Sequence, residues 1–147
     1  MSDTFAIRFQ ADAGADWELN SSFTLKREDG LCNVVISTSA AEEDGTALRY
    51  AEEGGLLVKS QFPGFEERGA LERISIPGLD GDAWIREFTW TPDNGESVRQ
   101  IQVYAIVDRD NVTVTLTSLD EDHAAVRSEL FGVLYSIMIA ASRAEDA

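Results

Sequence analysis

The chain has 147 residues with 12 basic and 27 acidic side chains, a formal net charge of −15 and 44% hydrophobic residues, enough apolar material for one core in a single domain over residues 1–147. That charge opposes binding to phosphate backbones and anionic lipid heads, so nucleic-acid and membrane-surface functions are set aside. With only one cysteine, Cys32, and one histidine, His123, an internal disulfide and a zinc site of the usual multi-ligand kind are excluded, and no metal or cofactor is expected.

Met1 to Gln10 places an acid at Asp3 and alternates its apolar residues, unlike the basic start and continuous apolar stretch of a signal peptide, so a cytoplasmic protein is expected. Phe5, Ile7 and Phe9 mark a short strand, and residues 11–16 a loop. Phe23 and Leu25 alternate with polar residues and, after Glu28-Asp29-Gly30, the β-branched run Leu31 to Thr38 pairs back as a hairpin. Asp44 is placed to cap a helix whose apolar stripe is Leu48, Ala51, Gly55, Val58 and Phe62. Gly54-Gly55 in its middle costs about 1 kcal/mol per glycine relative to alanine, so packing must hold this helix, and Pro63-Gly64 ends it.

Phe65 to Pro77 reads as one strand, followed by a turn cluster at residues 78–82. Ala83 to Thr91, Val98 to Val107 and Asn111 to Ser118, joined by short connectors rich in turn formers, read as an antiparallel meander. From a capping Asp120, a helix runs to about Ser142 with the stripe Val126, Leu130, Val133, Leu134, Ile137 and Ala141. Its apolar run, Leu130 to Ala141, is broken by Gly132 and Ser136 and is short of the roughly 20 residues that cross a bilayer. The predicted fold is α+β: one antiparallel sheet with a long C-terminal helix on one face and a shorter helix bordering the other.

Side chains alternate across a strand, so Ile101, Val103, Ala105 and Val107 share one face, suited to the last helix. Val98, Gln100, Gln102, Tyr104 and Ile106 share the other, a mixture of apolar groups and amides that points to an incompletely covered surface. Catalytic residues are few. His123 stands beside Glu121 and Asp122 in a first helical turn and reads as solvated, and Cys32 has no basic sequence neighbour to activate its thiol. The Asp-rich turns lack the spacing of an EF-hand loop, so a non-enzymatic protein is expected.

Asp16-Trp17 before a strand, Phe62-Pro63-Gly64-Phe65 closing a helix, Gly81 before a strand ending Phe88-Thr89-Trp90, then Val98-Arg99-Gln100 and Thr115-Leu116-Thr117, resemble in order the DcrB and PsbP-like superfamily. In appearance the chain is most similar to its Eag branch, the effector-associated chaperones of type VI secretion. That resemblance implies a cytoplasmic chaperone or adaptor that shields the transmembrane-type helices of a secreted effector in a sheet-lined groove, with a homodimer left open. The positions it implies are Phe23, Leu25, Asn33, Val35, Val58, Phe62 and Gln100, to which the same strand face adds Val98, Gln102 and Tyr104. Where that branch has a glutamine in the short helix, this sequence has Gly54. Phe23, Leu25, Val35 and Phe62 also suit an internal core. The alternative is a PsbP- or Mog-like regulatory or assembly module that binds a folded protein; a deep apolar trough favours the helix guest and a flat polar face the folded one.

Overall fold

The computed structural model describes residues 21–79 and 81–144, with side chains described from Ser22 to Ser136. The expected strand at Phe5 to Phe9, the loop after it and Trp17 lie outside the described residues. The strands are β1 (Ser21–Lys26), β2 (Cys32–Ala40), β3 (Glu66–Glu67), β4 (Glu72–Ile74), β5 (Ala83–Trp90), β6 (Val98–Val107) and β7 (Asp110–Leu119); α1 (Ala47–Gln61) follows β2, and α2 (His123–Ala144) follows a single 3-10 turn at Asp120–Asp122. Among the described residues the strands form one antiparallel sheet in the order β1-β2-β7-β6-β5-β3, with β4 beside β3 on the outer side of β5. The α+β architecture is the predicted one.

The β5–β6–β7 meander forms as expected, and its register pairs Ile101 with Leu116 and Val103 with both Ile85 and Val114. Asp108 (φ 47°) and Arg109 (φ 66°) make the two-residue turn between β6 and β7, both in the left-handed region that such hairpin turns require. Val126, Leu130 and Leu134 of α2 are buried on the face built from Val34, Ile101, Val103, Val114 and Leu116. Each of these side chains contributes roughly 1.5–3 kcal/mol by leaving water. No described helix is long and apolar enough to cross a membrane.

Four local expectations are corrected. Thr46, not Asp44, caps α1: its Oγ1 accepts from the Arg49 amide at 3.1 Å, while Asp44 turns to the Arg49 guanidinium. The span from Phe65 to Pro77 is not one strand but two short pieces, because Gly69 (φ 142°) turns the chain between them. Asp120 does not cap α2; its carboxylate accepts from Arg99 Nη1 at 3.1 Å, and the 3-10 turn carries the chain into the helix. His123 is not solvated but buried, with 7% of its surface exposed.

Candidate functional site: the polar half of the sheet

α1 crosses the face opposite α2 and packs mainly on β5 and β6. Its seating explains the glycine pair. A Cβ at Gly54 would overlap the Tyr104 hydroxyl, and one at Gly55 would overlap the Arg86 guanidinium. Ala47, Ala51, Gly55 and Val58 form its buried stripe, so small side chains let backbone and sheet approach closely. Gly54 meets β6, Gly55 meets β5, and Lys59 reaches Glu67 on β3 at 3.1 Å. With 3.6 residues per turn, the flank bearing Gly54, Leu57 and Gln61 therefore faces β7, and Leu57 is 55% exposed there.

Beyond that flank no described element covers β7, β2 and β1. Alternation along β7 turns Thr113, Thr115, Thr117 and Leu119 to this face, and the register sets Ser37, Val35 and Asn33 of β2 beside the three threonines. Ser22, Thr24 and Lys26 of β1 continue the rows outward. The result is a band of hydroxyl and amide groups with Val35 and Leu119 as its aliphatic members. Threonine suits such a place, since its branched carbon fits the pleat and its hydroxyl both donates and accepts.

Two hydrogen-bond relays run across β5 and β6, and the second of them reaches the band. Arg86 donates to the Ala51 carbonyl and, at 3.2 Å, to the Tyr104 hydroxyl, which donates to Gln102 Oε1 at 2.6 Å. Burial pushes the Tyr104 phenol up, and the Arg86 charge pulls against it. Trp90 Nε1 donates to Gln100 Oε1 at 3.1 Å, and Gln100 Nε2 donates to Thr117 Oγ1 at 3.0 Å. The half-buried amides thus have internal partners, and their presence in the sequence was not by itself a sign of an open face.

The ten candidate groove residues fall in three places. Asn33, Val35, Gln100 and Gln102 lie on or beside the band. Tyr104 and Val58 are buried between α1 and the sheet, Phe62 stacks on Trp90 with ring centroids 4.5 Å apart, and Val98 pairs with Trp90 across β5 and β6. Phe23 and Leu25 stand opposite Ile36 and Val34, so they project from the α2 side of the sheet, away from the other eight. A groove made of all ten does not exist as one surface.

A second polar cluster lies on the α2 face. Glu87 Oε1 is 3.1 Å from Arg99 Nε, 3.0 Å from His123 Nε2 and 3.0 Å from Arg127 Nη1, joining β5, β6 and the start of α2. Burial first, then Arg99, holds the His123 pKa below its ordinary value, with Arg127 adding to them and Glu87 and Asp120 opposing. Cys32 is buried as well, and desolvation pushes its thiol up. Arg86 and Glu87 were missed in the sequence; the signal was two charges inside the otherwise apolar strand Trp84-Ile85-Arg86-Glu87-Phe88, one for each face. A cleft of about 280 Å³, lined by Glu96, Ser97, Leu119, Asp120 and Glu121, closes one end of the band.

No family model matches the chain, and no curated protein matches it. Solved structures do. The crystal structure of PA94 from Pseudomonas aeruginosa, a protein of unknown function proposed to be a regulator, is similar with a TM-score of 0.65 and 20% identity over 84% of this chain and 85% of that one. The solution structure of cyanobacterial PsbP (CyanoP) from Synechocystis sp. PCC 6803 is similar with a TM-score of 0.53 and 14% identity over 77% and 78% of the two chains. At such identities the likeness concerns the backbone arrangement alone. The chain has a PsbP-like α+β fold.

Proposed function

We propose that the protein is a non-enzymatic interaction module of the regulatory or assembly kind, which receives a folded protein partner on the polar band of its sheet. The observation that carries this reading is the polar character of that band: Thr113, Thr115, Thr117, Asn33 and Ser37 share its face, and the α1 flank with Leu57 borders it. A helix of transmembrane type needs apolar walls along its length, whereas hydroxyls and amides match the polar surface of a folded protein and hold water until it arrives. The polar floor therefore supports a folded partner better than the effector-helix guest that the family resemblance implies. His123 and Glu87 support the non-enzymatic part, since both are engaged with arginines beside α2. A charge of −15 on each copy opposes a homodimer. A cytoplasmic setting belongs to the same reading.

The test is affinity capture from the source cell with the wild-type chain and with Thr115→Trp. Thr115 is half-buried at the centre of the band, where a bulky side chain obstructs docking, and a thermal melt of the variant checks that the fold is kept. Recovery of a folded partner by wild type but not by Thr115→Trp is expected. Equal recovery by both, or recovery only of chains bearing transmembrane helices, refutes the reading.

A further inference from the structure

We infer that the 3-10 turn and the first turn of α2 form a proton-operated latch: when His123 takes up a proton, residues 120–125 detach from the sheet while α2 from Val126 onward stays packed. The geometry of the segment comes first. Between Leu119, which ends β7, and Val126, His123 is the one buried residue; Asp120 and Asp122 are half-buried, and Glu121, Ala124 and Ala125 are exposed. Its seating therefore rests on the His123 ring, on Asp120 Oδ1 at 3.1 Å from Arg99 Nη1, and on the Asp120 amide, which donates to the Ser97 carbonyl at 2.9 Å. From Val126 onward the helix is held differently, by the buried side chains of Val126, Leu130 and Leu134. Segments that lack such apolar anchors are the ones that open locally.

The charges around the ring leave no place for another cation. Glu87 of β5 offers a single oxygen, Oε1, to three donors: Arg99 Nε of β6 at 3.1 Å, Arg127 Nη1 of α2 at 3.0 Å and His123 Nε2 at 3.0 Å. Arg127 Nη1 is also 3.3 Å from His123 Nε2. While His123 is neutral, Glu87 and Asp120 balance Arg99 and Arg127; a proton on the ring sets three cations against two carboxylates in a desolvated site. The remaining groups on this side of the sheet do not offset it. Glu121 and Asp122 belong to the 3-10 turn and lift with it, Arg68 after β3 is paired with Glu66 and donates to Thr89, and Cys32 on β2 is a thiol that burial keeps protonated. Burial and Arg99 hold the His123 pKa down, so proton uptake favours the open segment. Ser118 works in the same direction. It is buried on this face beside Arg99, its Oγ finds no hydrogen-bond partner among the described residues, and water satisfies it once the turn lifts. Because Leu119, Asp120 and Glu121 wall the cleft at the end of the band, acid would also reshape that end.

The test is amide hydrogen exchange of the full chain, followed residue by residue by NMR between about pH 7.5 and 5.5 and corrected for the intrinsic pH dependence of exchange, with the His123 ring titrated in the same samples. Protection of the Asp120 and His123 amides is expected to fall at least about tenfold as the ring takes up its proton, with no comparable fall at Leu130, Leu134 or Ile101. His123→Gln should remove this step. Arg127→Gln alters an exposed side chain and takes away one competing cation, so it should move the ring titration and the step together to higher pH. A ring that titrates while the amides of residues 120–125 keep their protection overturns the latch. So does a loss of protection that runs equally through Asp120, Leu130 and Leu134, which is unfolding of the whole domain, or a step that stays in place in Arg127→Gln.

Discussion

Replacing Gly55 by alanine tests the seating of α1 most directly, because two effects of similar size oppose each other there. Helix propensity alone favours Gly55→Ala by about 1 kcal/mol. Against it, the new methyl group would overlap the Arg86 guanidinium, with Cζ only 2.7 Å from the added carbon. Arg86 is 5% exposed and donates to the Ala51 carbonyl and the Tyr104 hydroxyl, so it has no free space into which to retreat. Overpacking of a close-packed interior costs about 1–3 kcal/mol, and a buried donor pulled from its acceptor adds about 1–3 kcal/mol more. The net expectation is a loss of about 3 kcal/mol, or a fall of roughly 6–12 °C in Tm for a chain of this size. Gly132→Ala is the internal control: it lies in α2 with nothing within 4 Å of the added carbon, so the same substitution should stabilise by up to about 1 kcal/mol. Urea and thermal melts of both variants beside wild type decide the matter. If Gly55→Ala stabilises as much as Gly132→Ala, the tight contact between α1 and Arg86 is refuted.

Other expectations are equally concrete. Arg86→Lys keeps the charge but loses the planar fork that reaches Ala51 and Tyr104 together, and should cost about 2 kcal/mol in a urea melt; an unchanged midpoint would show that the fork is dispensable. The folded-state pKa of His123 is held below its ordinary 6.5. The unfolded chain therefore takes up the proton first, and this part of the stability is intact above about pH 6.5 and is lost as pH falls through the folded value. His123→Gln should flatten the decline in urea midpoint between about pH 7 and 5.5, and parallel declines in variant and wild type would contradict the assignment. Leu134→Ala, at a fully buried position under α2, should cost about 2–5 kcal/mol by equilibrium unfolding, whereas a cost below 1 would mean that α2 is not packed as described.

Much of the fold was legible because it is governed by local periodicity. The run Asn111 to Ser118 alternates apolar residues with Thr so regularly that both strand and face follow from it, and the short connectors rich in Asp, Asn and Gly leave antiparallel pairing as the economical topology. The two helices follow equally from their stripes. Boundaries were less legible: a capping residue is chosen by where the backbone turns, and Asp44 and Thr46 are chemically equivalent candidates until the coordinates of Arg49 select one.

The site was legible only in part, for a reason of geometry. Period-two alternation says which residues of one strand share a face, but not which face of one strand joins which face of another. Phe23 and Leu25 were thus grouped with Asn33 and Val35, although pairing with Ile36 and Val34 puts them on opposite sides of the sheet. Strand order, set by contacts far apart in sequence, leaves α1 over β5 and β6, with no described element across β7 beyond it. The amino-acid sequence by itself determined the charge, the elements and the facing of each strand, since these depend on residues that are near neighbours along the chain. Which polar side chains become partners, as Trp90 with Gln100 and Glu87 with His123, was decided only by the tertiary structure, because those groups meet only when distant strands and α2 are brought together.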